Sequence, residues 1–498
     1  MPDRPNILLF FMDQQRFDTI ACNGHPTCKT PVLDRMASEG VRFTRAYSCC
    51  GLCSPARSSV MTGLYTHNHG QLTNTHDWQS RRFLDPSIPT FAHMLSDAGY
   101  HTSYVGKVHL KSPEGAPLEY GFREWHRPYH QYLKERGLKP TANQWAAADQ
   151  DGLIGPRFGP DSTCFRWPFA ATCAGPVESH REYWRAEEGI RMLEERAKDR
   201  KENGTPFFLR IDFPGPHLPF VIPEPYASMY DPTQIPEAPD FDDPFANKPR
   251  MHAQMPRLWR TEGTDWAFWQ PIVAKYWGYV TFLDHLIGRV MDRLRDLGLE
   301  QNTAVFYTTD HGDTCGSRRM FDKGYCMYEQ LYHIPFIASW PGVWSSGQCD
   351  HFISNMDLMP TFLGLAGIDT PDGLDARGLM PLIEGQRPDD WPTEAYSEFN
   401  GMQWGLYSQR MVRTERYKLV FNAPDIDELY DLEDDPAELK NRIDDSALAD
   451  VQKEMYRRLF RRMKETGDPF HRDYWWPKYE SERQSITLEP DLLYGEKS

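Results

Sequence analysis

Ile7-Leu8-Leu9-Phe10-Phe11-Met12 is an unbroken apolar run that ends on Asp13. A strand with one wetted face alternates apolar and polar residues, whereas an unbroken run is the pattern of a strand buried on both faces of a parallel sheet. An acid at the carboxyl end of such a strand stands where open α/β sheets place their ligands. Working outward, the pattern recurs. Strands are expected at 100–105, 206–213, 303–309 and 334–339. Between them, helix signals cover 31–39, 58–64, 89–98, 179–203, 265–297 and 357–365, several opened by Pro or closed by Gly. Helices that alternate with inner strands make residues 1–385 a large doubly wound, mostly parallel α/β domain. The stretches 110–178 and 214–263, dense in Pro and aromatic residues, read as loops that shape a pocket rim.

Residues 386–498 have another texture. Short alternating segments at 395–398, 409–414, 417–421 and 428–432, joined by tight polar connections, predict a small antiparallel sheet with an amphipathic helix, 448–464, packed on it. The tail beyond Asp468 carries Tyr474-Trp475-Trp476-Pro477, an arm suited to docking on its own subunit or on another copy.

A chain of 498 residues needs more than one ordinary core. Its net charge of −16 argues against nucleic acid or an acidic membrane as partner, so any anion site must be a local concentration of cations. Ten Cys with no doublet of C-x-x-C motifs read as reduced thiols, not as a disulfide scaffold. The run 7–12 is too short for a secretory core and no window approaches a membrane span. A cytoplasmic location is the expectation, or a periplasmic one if a leader has been removed.

Several groups carry chemistry. In Cys53-Ser54-Pro55-Ala56-Arg57, Pro55 disfavours helix at Ser54, which places an exposed Cys53 just before a helix starting near Ala56. A helix N-terminus and Arg57 together favour an anion; alone, the stretch reads equally well as a structural Cys. Asp13 and the pair Asp310-His311 end two buried strands, and carboxylates at strand ends of one sheet can converge on a hard divalent cation. Lys107 and His109 follow a strand with the two-residue period that puts them on one side. His217, in Phe213-Pro214-Gly215-Pro216-His217-Leu218-Pro219, is held by stiff prolines at a strand end, which suits a proton donor at a fixed place.

Together these motifs resemble the type I, formylglycine-dependent sulfatases of the alkaline-phosphatase-like superfamily. Cys53 to Arg57 with Thr62-Gly63 is similar to the C-x-P-x-R signature, Gly99 to His109 to the second signature, and Thr308-Thr309-Asp310-His311-Gly312 to the metal motif. Lys323 in Phe321-Asp322-Lys323-Gly324 and Asn74 in Leu72-Thr73-Asn74-Thr75 match further family positions, and the likeness covers most of the chain. It implies a sulfuric ester hydrolase acting on small anionic aryl or carbohydrate sulfate monoesters, with Cys53 oxidised to formylglycine by a maturation enzyme. In that scheme the hydrated aldehyde attacks sulfur beside a divalent metal held by Asp13, Gln14, Asp310 and His311 together with residue 53. Arg57 and Lys107 hold the attacking oxygen. Asn74, His217 and Lys323 bind substrate, His217 and Lys323 protonate the departing alcohol, and His109 takes the proton that resets the aldehyde. Ca²⁺ is the metal by family; Gln14 in place of a second Asp, with the nitrogen ligand His311, leaves Mn²⁺ or Mg²⁺ open. A phosphonate monoester or phosphodiester hydrolase shares the fold and the Asp-Gln start, although the intact Gly106-Lys107-Val108-His109 favours sulfate. A non-catalytic binding protein on the same scaffold is the rival of another class, and a homo-oligomer through the tail is a further expectation.

Overall fold

The computed structural model describes residues 4–77, 83–110, 117–141, 151–155, 169–423 and 425–471. The aromatic arm expected around Tyr474 lies outside them.

The apolar run folds as β1 (Asn6–Asp13), buried along its whole length. Its side chains alternate between two faces. Leu8, Phe10 and Met12 enter one core cluster, and Ile7, Leu9 and Phe11 enter the other. Both faces are dry, which is why the run has no polar break. Each such side chain contributes about 1.5–3 kcal/mol on burial, so a charge at Leu9 or Phe10 would open the centre of the molecule.

In chain order the next strands are β2 (Val41–Tyr47), β3 (His101–Gly106), β4 (Glu124–Trp125), β5 (Asp151–Ile154), β6 (Ala170–Cys173), β7 (Phe207–Pro216) and β8 (Phe220–Pro223). After them come β9 (Thr303–Thr309), β10 (His333–Ser339), β11 (Gly347–Ser354), β12 (Ala395–Phe399), β13 (Gln409–Arg413), β14 (Tyr417–Asn422) and β15 (Glu428–Asp431). The main sheet has the order β11-β2-β10-β9-β1-β7-β3-β4. Only β10 runs against its neighbours; the other pairs are parallel. Helices Arg181–Asn203 and Trp266–Asp296 cover one face, and Phe91–Asp97 and Leu358–Ala366 the other. This is the doubly wound α/β architecture. The antiparallel sheet β12-β13-β14-β15, with helix Ala449–Glu465 against it, forms the smaller C-terminal part.

Three features depart from the sequence reading. The helix that begins the signature starts at Cys53, not near Ala56. Pro55 is its third residue, where the missing N–H has no intrahelical partner to lose, so the proline fits inside the first turn. β2 and β11 were not expected: Arg42 and Arg45 interrupt the first, and the second is an edge strand with Gln348 and Asp350 exposed. Where rim loops were expected, β5, β6 and β8 form a third sheet, and Tyr129–Arg136 and Arg250–Trp259 are helices.

Register places the ligand end. Met12 of β1 pairs with Thr309 of β9, so Asp13 and Asp310 emerge side by side. Asp212 of β7 lies between Phe11 of β1 and Gly106 of β3.

Candidate active site

Cys53 opens helix Cys53–Thr62 at the foot of a cavity of about 440 Å³. It is buried, not exposed as the sequence reading expected, but its neighbours are polar. Its Sγ lies 3.2 Å from His311 Nε2 and 3.6 Å from Asp13 Oδ1. Burial, and then Asp13, push the thiol up to about 12. At neutral pH this is a protonated thiol, a poor nucleophile as it stands. Asn74 also lines the cavity; its side-chain oxygen accepts from the backbone N–H of Ser54, 3.0 Å away, and so caps the first turn.

Ligand atoms of Asp13, Cys53, Asp310 and His311 all lie within 4.8 Å of one another. His311 Nδ1 donates to the carbonyl of Gly312 at 2.8 Å, which leaves Nε2 as the lone-pair nitrogen facing Cys53. Burial holds the His311 pKa below its usual value, so the ring is neutral and fit to be a ligand. Burial alone would raise Asp13; the charged groups Lys107 and Arg57 outweigh it and hold the carboxyl well below the carboxylate range. Two carboxyl side chains and a neutral imidazole nitrogen at this spacing fit a hard or borderline divalent cation. Gln14 joins them in the left-handed region (φ 69°) with its backbone N–H on Asp310 Oδ1 at 3.0 Å. Its side-chain oxygen accepts from Lys323 Nζ at 2.9 Å and its amide nitrogen donates to Asp313.

Arg57 is fully buried and spends its guanidinium on the carboxylates. Nε donates to Asp310 Oδ2 at 2.9 Å, Nη1 to Asp212 Oδ2 at 2.7 Å, and Nη2 lies 3.3 Å from Asp13 Oδ2. It is a hub that binds three carboxyl side chains in a dry place, rather than a free anion clamp. Lys107 Nζ donates to Asp13. Gly106 makes that reach possible: its φ is 103°, and a Cβ there would sit 1.8 Å from the carbonyl oxygen of Asp212. The backbone turns here instead of staying extended, and His109 is left-handed as well (φ 56°).

His109 lines the cavity, and its Nδ1 has no hydrogen-bond partner. Burial, and then Lys107, hold it well below the usual histidine range, so it is neutral and able to accept a proton. His217 Nδ1 donates to the carbonyl of Leu218 at 2.6 Å, and its Nε2 faces Lys323 Nζ at 3.4 Å. Burial, with Lys323, holds His217 neutral. Lys323 also donates to Asp322 Oδ1 at 2.7 Å; Asp322 and then Asp13 outweigh its burial and keep it charged.

Every residue singled out in the sequence therefore falls in one place. Reasoning from sequence missed Asp212, Asp313, Asp322, His76, Gln403 and Trp404. Asp212 had a signal, an acid inside an apolar strand segment, Phe207 to Phe213. Asp313 follows the Asp-His-Gly motif directly; burial, and then Asp322, raise its pKa to about 7. His76 stacks on His109, with ring centroids 5.6 Å apart. Gln403 and Trp404 come from the β12–β13 connection, which no local pattern ties to a pocket.

The arrangement is a buried thiol at a helix N-terminus beside two carboxyl groups and an imidazole spaced to hold a cation, with an ammonium and two neutral imidazoles around the opening. Comparison with known proteins gives the family. Residues 5–368 match the sulfatase family model, and residues 316–465 match the model of the N-sulphoglucosamine sulphohydrolase C-terminal region. The chain is 31% identical to the uncharacterized sulfatase YidJ of Escherichia coli over 493 residues, 95% of this chain and 90% of that one. It is 30% identical to an arylsulfatase of Clostridium perfringens, covering 88% of this chain and 90% of the relative. Among solved structures, the phosphonate monoester hydrolase of Agrobacterium radiobacter superposes with a TM-score of 0.75 at 26% identity, over 93% of this chain and 96% of that one. With a family model spanning most of its length and its site residues gathered at one sheet edge, the chain belongs to the sulfatase family.

Proposed function

We propose that the chain hydrolyses small organic sulfate monoesters, with residue 53 acting as formylglycine beside one divalent cation, Ca²⁺ or in its place Mn²⁺ or Mg²⁺. The observation that carries this reading is the position of Cys53 Sγ, where an oxygen of the hydrated aldehyde would stand, within 4.8 Å of ligand atoms of Asp13, Asp310 and His311. When in place, the cation supplies Lewis-acid charge and the hydrated formylglycine supplies the hydroxyl that attacks sulfur. The chain's own residues do the rest. Arg57 and Lys107 hold Asp13 in its ionised form, and Arg57 fixes Asp310 in place. Lys323 Nζ, at the foot of the cavity, balances charge on the sulfate oxygens and donates a proton toward the departing alcohol. His217 Nε2 is the adjacent group that shares this proton with Lys323. His109 Nδ1, without a partner, accepts the proton released when residue 53 is reset.

One observation favours a second reading, phosphonate ester hydrolysis: Gln14 makes the cradle less negative, and a phosphonate monoester hydrolase has this fold. The test is the protein co-expressed with a formylglycine-generating enzyme. Peptide mass at residue 53 should show the aldehyde. Divalent-metal content should be near stoichiometric, and kcat/KM should be higher on 4-nitrophenyl sulfate than on a 4-nitrophenyl phosphonate ester. Cys53→Ala should abolish turnover. Faster phosphonate turnover would replace the sulfate reading with its rival.

A further inference from the structure

The lining of the cavity at Cys53 divides by chemistry into two layers. The charged and titratable groups, Lys323, Asp322, His217 and His109, are its floor, tied to the cradle through Lys323, which bonds Gln14 and Asp322 and faces His217. Leu218, Leu258, Trp259 and Trp404 are its apolar lining, the walls. The two indoles meet edge to face with centroids 5.6 Å apart. Trp259 is backed in turn by Phe321 at 5.7 Å and Phe169 at 6.0 Å, so the wall is a packed aromatic layer.

Trp404 is held there by a tight turn. Met402 and Gly405 exchange backbone hydrogen bonds of 3.1 and 2.9 Å, and Tyr325 Oη donates to the Gly405 carbonyl at 3.0 Å. Gly401 has φ 113°, and a Cβ on it would lie 2.4 Å from that same carbonyl oxygen, so only glycine closes the turn. The indole is thus presented by a preformed corner of the C-terminal sheet, with little ordering left to be done on binding.

Lys323 is the sole Lys or Arg among the described lining residues, and it belongs to the floor. A second anionic group on the substrate, a uronate or another sulfate, would find no described cation on the walls. The net charge of −16 repels polyanions before they arrive. Beside the floor groups, the described lining offers Asn74, which already caps the first turn of the Cys53 helix, Gln403, His76 and the indole N–H of Trp259. None of them is charged in the way a second sulfate or a uronate would need. Planar apolar groups gain most from such walls, through offset or edge-to-face contact with the indoles.

From this two-layer construction, which rests on the sulfatase reading above, we infer that the leaving-group subsite is an indole slot that selects aryl sulfate monoesters over sulfated saccharides, with Trp404 as its specificity-determining residue. The matured protein should hydrolyse 2-naphthyl sulfate with higher kcat/KM than N-acetylglucosamine 6-sulfate. Trp404→Ala should lower that ratio about tenfold or more, mainly through KM, and Trp404→Phe should restore most of it. A second measurement needs no turnover: calorimetric titration with 2-naphthol should show binding that weakens about tenfold in Trp404→Ala. Preference for the saccharide sulfate, or a Trp404→Ala ratio within twofold of wild type, would overturn the slot while leaving the sulfatase reading intact. No turnover of any sulfate ester by protein carrying the aldehyde would overturn the sulfatase reading instead, and naphthol binding unaffected by Trp404→Ala would then remove the slot too.

Discussion

Asp313 decides which way Gln14 points. A lysine ammonium can only donate, so the group of Gln14 facing Lys323 Nζ at 2.9 Å is the carbonyl oxygen, and the amide nitrogen must be taken up on the other side. Asp313 takes it up, anchored in turn by the backbone N–H of Cys315 at 2.6 Å from its other oxygen. On the function proposed above this amide oxygen would be a hard ligand without charge, the one form in which glutamine serves a cation. Asp313→Ala frees the amide to rotate and leaves its NH₂ without a buried acceptor. Divalent-cation affinity, read by calorimetry on the purified chain, should fall about 10- to 100-fold, with the far-UV circular dichroism unchanged. Affinity equal to wild type would show that Lys323 alone orients Gln14.

Among the elements, the short helix Thr66–His69 is tied to the end of helix Ala449–Glu465 by one buried imidazole. His67 Nε2 donates to the Thr466 carbonyl at 3.0 Å and Nδ1 to Glu398 Oε1 at 2.7 Å; Asp468 Oδ2 is 3.9 Å away, itself paired with Arg410, and Tyr65 stacks on the ring. Both nitrogens donate, so the ring is an imidazolium. Burial opposes the charge, but Glu398 and Asp468 outweigh it and raise the pKa to about 9. The folded value lies above the unfolded one, so the clamp's contribution is complete below about pH 6.5 and fades as pH rises through about 9. The stability difference between wild type and His67→Gln, from urea unfolding, should therefore shrink by roughly 2 kcal/mol between pH 6 and pH 10. A difference that stays constant with pH would show that the ring is neutral in the fold.

The same elements show what a sequence makes legible. β1 and β9 announce themselves because a strand wet on neither face carries apolar residues in succession with no charge between them, Ile7 to Met12 and Ala304 to Tyr307. Asp13 and Asp310 are readable as strand ends for the same reason. β2 and β11 lie toward the rim of the sheet, where arginines and an aspartate replace apolar side chains, and their pairing is decided by tertiary contact. Arg57 was legible as a site residue but not as the hub of three carboxylates, because Asp212 arrives from a strand about 150 residues away. Trp404 was invisible as a wall of the cavity, since only the fold brings a connection of the second sheet over the carboxyl edge of the first.

At the scale of the whole molecule, the composition shift near residue 385 does not coincide with a break in packing. One core cluster runs from Leu8 of β1 through the helix Trp266–Asp296 to Leu419, Tyr456 and Met463 of the C-terminal part. Backbone joins the two parts as well: the N–H of Glu398 donates to the Cys49 carbonyl at 2.8 Å, a few residues before the signature cysteine. Lys418, fully buried, reaches back to the Met327 carbonyl at 2.9 Å and to Glu329 at 3.1 Å, and Arg318 reaches forward to the Glu438 carbonyl at 3.2 Å. Separating the parts would break these charge-assisted hydrogen bonds and expose the apolar core that both parts share. An interface of that kind does not open before the core does, so the full chain should unfold as one cooperative unit. Urea transitions followed by near-UV and far-UV circular dichroism and by tryptophan fluorescence should coincide, and naphthol binding should be lost at the same midpoint. Two separated transitions, with fluorescence and binding lost in the first, would mean that the small sheet detaches on its own and that the Trp404 wall is a hinged part instead of a fixed one.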